Sequence, residues 1–439
     1  MAEPPCLETS EPSTQTPLLD VEASQEPEEE EERDTHLDQT LQRLETFLCF
    51  FGFHQSSVLG FLLSWFTFLL LGVSLPVLIL ELSDCSGCEN YQIFNFELDA
   101  IVAQSCLAAV SLACASHNLR KYGIREFLFV DRYHGHMLRF RKDYIDKIEG
   151  FFRLLVLWIL PCFILKTVRE VIRTTYVHHA SWWRTTAILL ALILSWIYLT
   201  TISFSACVLF NLVCNLQVIH FDDYAKLLER DSNVSLFIKE HIRLRFYLSK
   251  ISHRFRIYLL LVFLVVTASQ FVFLFQTTGY KGTNTFINGG DLVVSSIVQV
   301  VGIYFCLHGA AKISHRAQGI ASVACRWHAL ISCCSTDAPQ LIVSNGAGNL
   351  VAWNPVGSLP FNFSESDLES LDSVEFTINT QFASYMSTYH KRQAFVMYLQ
   401  SNPGGVTIFG WTVDRTLITT IFFIELSLVL FVLGKTMVL

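Results

Sequence analysis

Apolar runs of about twenty residues recur along the chain from residue 58 onward, separated by polar and often basic stretches. A bilayer's hydrocarbon core is roughly 30 Å thick and takes roughly 20 helical residues to cross. Seven runs meet that length: Val58 to Leu82, Leu98 to Ser116, Phe151 to Ile172, Thr186 to Leu216, Ile257 to Thr277, Leu292 to Lys312 and Val413 to Leu433. Pro76 predicts a kink in the first. The third carries Arg153 near one end and Lys166, Arg169 and Glu170 toward the other. Charges near the ends of a span are expected to snorkel to the interface. The expected fold class is all-α, a polytopic membrane protein of seven transmembrane helices.

The stretches between spans also carry helical patterns. From Asn215 to Arg230 the pattern runs on past the fourth span, and Asp231, Ser232 and Asn233 break it and cap the next helix. Phe237, Ile238, Ile242, Phe246 and Ile251 then recur at helical spacing among Lys and Arg. Two long helices leaving the bilayer together predict a helical platform outside it. The stretch 313–411 is too long for a simple connector, so part of it should pack. Turn sequence lies around Asn345 to Asn354, Ser373 to Gln400 reads as one helix, and Asn402-Pro-Gly-Gly405 ends it. No internal repeat of the kind seen in inverted-repeat transporters is visible.

Composition agrees with lipid contact. The 439 residues are 52% hydrophobic and 16% charged, against about 25% charged in soluble domains. The net charge of −8 misleads. Residues 1–40 hold thirteen acidic residues and Arg33, a balance of −12, which leaves +4 for the remainder. That composition predicts a disordered, acidic tail over residues 1–45. Residues 46–312 then hold six spans with helical extensions, 313–411 a loop and helix, and 412–439 the last span. The N-terminus lacks the basic start and early apolar run of a cleavable signal, so the first span is expected to act as its own insertion signal.

Loop charge predicts orientation. The stretches 119–150 and 218–256 carry eight Lys or Arg each, whereas 83–97 carries none and 279–290 only Lys281. Basic loops stay cytosolic. The N-terminus and the helical extensions are therefore expected in the cytosol and the C-terminus outside. The same basic residues are spread over several loops, which excludes a nucleic-acid patch. Plasma membrane and endomembranes both suit this layout, with the lipid bilayer as the first partner.

Few motifs suggest chemistry. Asp131-Arg132-Tyr133 matches the ionic-lock triplet of G-protein-coupled receptors, but it follows the second span in an inverted topology. His134, His136, His178 and His179 lie on opposite sides of the membrane without carboxylate partners, so no metal site is expected. No nucleophile motif, phosphate loop or dinucleotide fingerprint appears, and neither an enzyme nor a cofactor is expected. Cys85 and Cys88 share the first external loop, where a disulfide and free thiols are equally compatible with the sequence. Asn233-Val-Ser235 and Asn362-Phe-Ser364 match the glycosylation acceptor but fall on the cytosolic side.

The last span carries the most informative pattern. Thr416, Thr420, Phe423, Ser427, Phe431 and Gly434 follow at three or four residues and form one stripe. Glu425 is a mid-membrane acid two residues from both Phe423 and Ser427, so it faces roughly away from that stripe. Either the stripe lines a pore and Glu425 bonds to a neighbouring helix, or the reverse holds. Ordinary small-residue helix packing also produces such a stripe.

The segment Gly410-Trp-Thr-Val-Asp-Arg-Thr-Leu-Ile-Thr-Thr-Ile421 resembles the opening of the last helix in insect gustatory and odorant receptors. It is closer to a plant family of unknown function that shares their seven-helix, inverted architecture. Insect members continue with Thr-Tyr, five hydrophobic residues and Gln-Phe; here Ser427-Leu428, Val429 to Leu433 and Gly434-Lys435 occupy that window. The resemblance implies a ligand-gated ion-channel subunit, a homo-tetramer with helix seven around the pore, and an unidentified small-molecule ligand. It places a hydrophobic gate at Phe431 and puts Gly434 at the family's Gln position. Lys435 at the outer mouth would repel cations. A non-conducting scaffold or a small-molecule carrier is the alternative; a carrier is expected to need broken helices and a central polar site.

Overall fold

The computed structural model describes residues 22–55, 57–82, 94–129, 137–176, 182–230, 233–280, 286–334, 388–408 and 410–436. The Asp131-Arg132-Tyr133 triplet, the four histidines noted above, Cys85, Cys88, Asn362 and the turn sequence near Asn345 lie outside these residues. Seven described segments are long and apolar enough to cross a membrane, one at each of the seven runs read from hydropathy.

Helix α1 (Glu22–Phe50) occupies much of the stretch expected to be disordered. That expectation is corrected from Glu22 onward. Leu37, Leu41, Leu44 and Leu48 recur at 4-3-4 spacing and are all buried, and the helix packs on α5. Phe47 stands edge-on to Phe151 and Phe152, at 6.0 and 5.5 Å between ring centroids. Composition averaged over residues 1–40 hid this stripe. Gly52 then takes φ +81, a left-handed conformation that favours glycine, and Phe53 N–H closes the turn on the Leu48 carbonyl at 2.9 Å.

The first span is α2 (Val58–Thr67), a π-helical segment (Phe68–Ser74) and α3 (Leu75–Leu82). The kink expected at Pro76 is absorbed as a wider helical turn. Pro76 has no N–H and its ring crowds the carbonyl four residues back, which is that of Gly72 within the π segment.

The next five spans extend well beyond a bilayer. They are α4 (Phe94–Phe127, interrupted at Gly123, φ +70), α5 (Met137–Tyr176), α6 (Trp182–Arg230), α7 (Val234–Gly279) and α8 (Phe286–Cys334). The 49 residues of α6 make a rod of about 74 Å at 1.5 Å per residue. Asn233 caps α7 as expected, accepting from Ser235 N–H at 3.1 Å. The sixth span, read as ending at Lys312, continues unbroken to Cys334.

These overhangs form the platform. The lower halves of α7 and α8 pack with α9 (Thr388–Ser401), the described part of the helix expected from Ser373, and α6 packs on α8. Phe237, Trp327 and Phe395 meet at centroid distances of 5.5 to 6.4 Å. Asn402 receives Arg245 at 2.8 Å just past the end of α9. A small hairpin, β1 (Thr407–Ile408) and β2 (Trp411–Thr412), then turns the chain toward α10 (Arg415–Thr436). Ser314 and Ser252 accept from the backbone N–H groups of Val406 and Thr407 and anchor the hairpin to α8 and α7. Within the bundle, Gly309 lets α8 lie close to α6, since an added Cβ there would stand 2.9 Å from Asn211 Oδ1.

Candidate functional site

Two features stand out. One is the outward face of α10, and the other is a buried ionic cluster at the end of the bundle away from the platform.

Helix α10 packs on α7 and α8 through Glu425, Val429, Val432 and Thr436. Gly289 of α8 makes room for Thr436, whose methyl lies 2.9 Å from where a Cβ would stand. Glu425 is 2% exposed and accepts a 2.7 Å hydrogen bond from Thr267 of α7; its second oxygen has no partner among the described residues. The stripe residues Thr416, Thr420, Phe423, Ser427, Phe431 and Gly434, with Lys435, are all exposed on the opposite side. Thr420 and Ser427 donate back to the carbonyls of Thr416 and Phe423. The apolar window of α10 is 17% buried, against 22–78% in the other six spans, so most of this helix lacks cover from its own chain.

Lys166, Arg169 and Glu170 of the third span do not snorkel, whereas Arg153 is exposed. Lys166, Arg169, Glu170 and Arg173 fall at i, i+3, i+4 and i+7, which is one face of α5, and that face points inward. They meet Glu97 from the start of α4 and Asp291 from the start of α8. Arg169 donates to Glu97 at 2.9 Å and to Glu170 at 2.7 Å. Arg173 grips both Glu97 oxygens at 2.9 Å and lies 3.1 Å from Glu170 Oε2. Lys166 pairs with Glu170 at 2.8 Å and donates to Asp291. All six are at most 7% exposed. Three cations and three carboxylates cancel, and this lets so many charges leave water together.

The cluster joins three helices beside the first and fourth spans. A cavity of about 30 Å³ adjoins it, lined by Pro76, Leu80, Gln104, Ser195 and Trp196 among others, a volume that suits one water molecule. Ser195 Oγ and Trp196 Nε1 are buried there with no hydrogen-bond partner among the described residues. A second polar group lies deeper, where Ser269 and Gln270 of α7 donate to Gln299 of α8 at 2.7 and 3.0 Å.

Sequence reading singled out α10 and missed the cluster. The signal available was the inward phase of the four α5 charges. Glu97 and Asp291 lie near helix starts, and no pattern within α4 or α8 ties them to α5. Glu425 is therefore one of several buried acids. Among the described residues no group of three or more His, Cys, Asp or Glu is placed to hold a metal.

Seven apolar spans, a helical platform and charges buried between helices define an integral, multi-pass membrane protein of all-α class. Over residues 39–424 the chain matches the family described as Protein of unknown function (DUF3537), and it belongs to that family. No curated protein matches it.

Proposed function

We propose that this protein is a subunit of a ligand-gated channel of the gustatory and odorant receptor type, assembling as a homo-tetramer with α10 facing the pore. The observation that carries the reading is the division of α10. Glu425 bonds inward to Thr267, while the six stripe residues and Lys435 face away from the bundle. An outward face carrying three hydroxyls is more polar than lipid contact requires. Copies of α10 meeting around an axis would bring Phe431 rings together in a dry constriction that gates by dewetting. The N-terminus and platform lie in the cytosol on this reading, as the basic loops require.

Phe431→Ala is expected to widen that constriction and raise leak current in cells expressing the protein. Images of the purified protein are expected to show four-fold symmetry around α10. A monomer in mild detergent would remove the channel reading.

One pair of observations favours a small-molecule carrier instead. A π segment interrupts the α-helix of the first span, and a small polar cavity lies beside that span. Substrate uptake into vesicles without current would select that reading.

A further inference from the structure

A cavity of about 690 Å³ opens between α5, α6 and α8 at the platform end of the spans. It is separate from the ionic cluster and from the stripe of α10. Its lower mouth carries Lys147, Arg153 and Lys312. Lys147 and Arg153 are exposed and Lys312 is half-buried. Among the described residues no carboxylate lies within ion-pair distance of any of the three. Lys312 donates to Asn215 at 2.7 Å, leaving two ammonium protons for another acceptor. Asp146 also lines the mouth, so the local balance is three cations against one acid, or +2.

Above the mouth the walls are apolar and aromatic. Trp158 and Phe305 stand edge-on at 5.7 Å between centroids, and Leu157 is 64% exposed on the outer surface of α5. The position along the chain matters as well. The apolar run of α5 begins at Phe151, that of α6 ends at Leu216, and that of α8 ends at Lys312. Lys147, Asn215 and Lys312 therefore share the level where hydrocarbon gives way to headgroups.

We propose that this groove holds one anionic phospholipid of the adjoining leaflet, its phosphate between Lys147, Arg153 and Lys312 and its acyl chains along Leu157, Trp158 and Phe305. Charge complementarity selects the headgroup, and the exposed apolar wall selects a lipid over a soluble anion. The site is independent of whether α10 lines a pore. Because it touches α5, α6 and α8 at once, an occupied groove holds these three helices together at the platform end.

The test uses the full chain, purified in uncharged detergent and mixed with phosphatidylserine or phosphatidylcholine. Native mass spectrometry is expected to show phosphatidylserine retained on the order of tenfold more than phosphatidylcholine. Lys147→Gln with Lys312→Gln is expected to abolish that preference, whereas Arg120→Gln, a basic residue outside the groove, keeps it. The wild-type protein is also expected to melt at higher temperature with phosphatidylserine than with phosphatidylcholine, a measurement that needs no variant to fold. Equal retention of the two lipids by the wild type would overturn the proposal. So would displacement of the lipid by excess inorganic phosphate, or a preference unchanged in the double variant.

Discussion

Arg169 is 1% exposed and touches carboxylates from two helices. Three cations share three carboxylates, so losing any one cation leaves a buried net negative charge. Removing one partner of a buried ion pair is worth about 3–5 kcal/mol, and Arg169→Met is expected to destabilise the protein by that amount. Loss of the monodisperse peak after a heat challenge in detergent measures it. Arg316 provides the contrast, since it pairs with Asp222 at 3.4 Å with both side chains well exposed. Arg316→Met is expected to change stability by under about 1 kcal/mol. Equal effects of the two substitutions would mean that the cluster is not the interaction holding α4, α5 and α8 together. Residue identity alone did not separate these arginines, because snorkelling and burial differ only in which way one helical face points.

Helix α1 shows what element scale adds. Its acidic first half and leucine-bearing second half sum to a composition that reads as unstructured. The four leucines lie on one face, and burying that face against α5 supplies what propensity alone does not. Leu44 is fully buried, and replacing a buried leucine by alanine is worth about 2–5 kcal/mol. Leu44→Ala is therefore expected to loosen α1 from α5 and raise amide hydrogen exchange through residues 37–48. Exchange unchanged from the wild type would show that α1 is held by something other than its leucine stripe. The π segment belongs to the same scale. Pro76 announced a disturbance, but the packing of Gly72 against Leu199 of α6 shows why a widened turn suits the place: an added Cβ there would lie 2.8 Å from the leucine.

At the scale of the whole molecule, the platform and the ionic cluster lie at opposite ends of the bundle. The orientation expected from loop charge puts the platform end in the cytosol. Asn233 lies at the platform end, engaged as the cap of α7. Protein produced in a secretory host is expected to show no mass change on glycosidase treatment. A glycan on Asn233 or Asn362 would reverse the orientation and, with it, the cytosolic reading of the platform. Tertiary packing brings Glu97 and Asp291, from two other helices, to within ion-pair reach of Arg169. No pattern within one helix carries that information.

The sequence by itself determined the seven spans, their approximate limits, the helical overhangs of α6 and α7, the cap at Asn233 and the phase of the stripe on α10. These follow from local hydropathy and helical period, which each segment carries without reference to its neighbours. Only the tertiary structure decided that the α5 charges are buried and paired, that α1 is docked, that α8 joins the platform and that Glu425 faces Thr267. Those outcomes depend on which face of a helix meets which partner. Burial of a charge is decided by the opposite charge across the interface, and that partner lies tens of residues away in the chain.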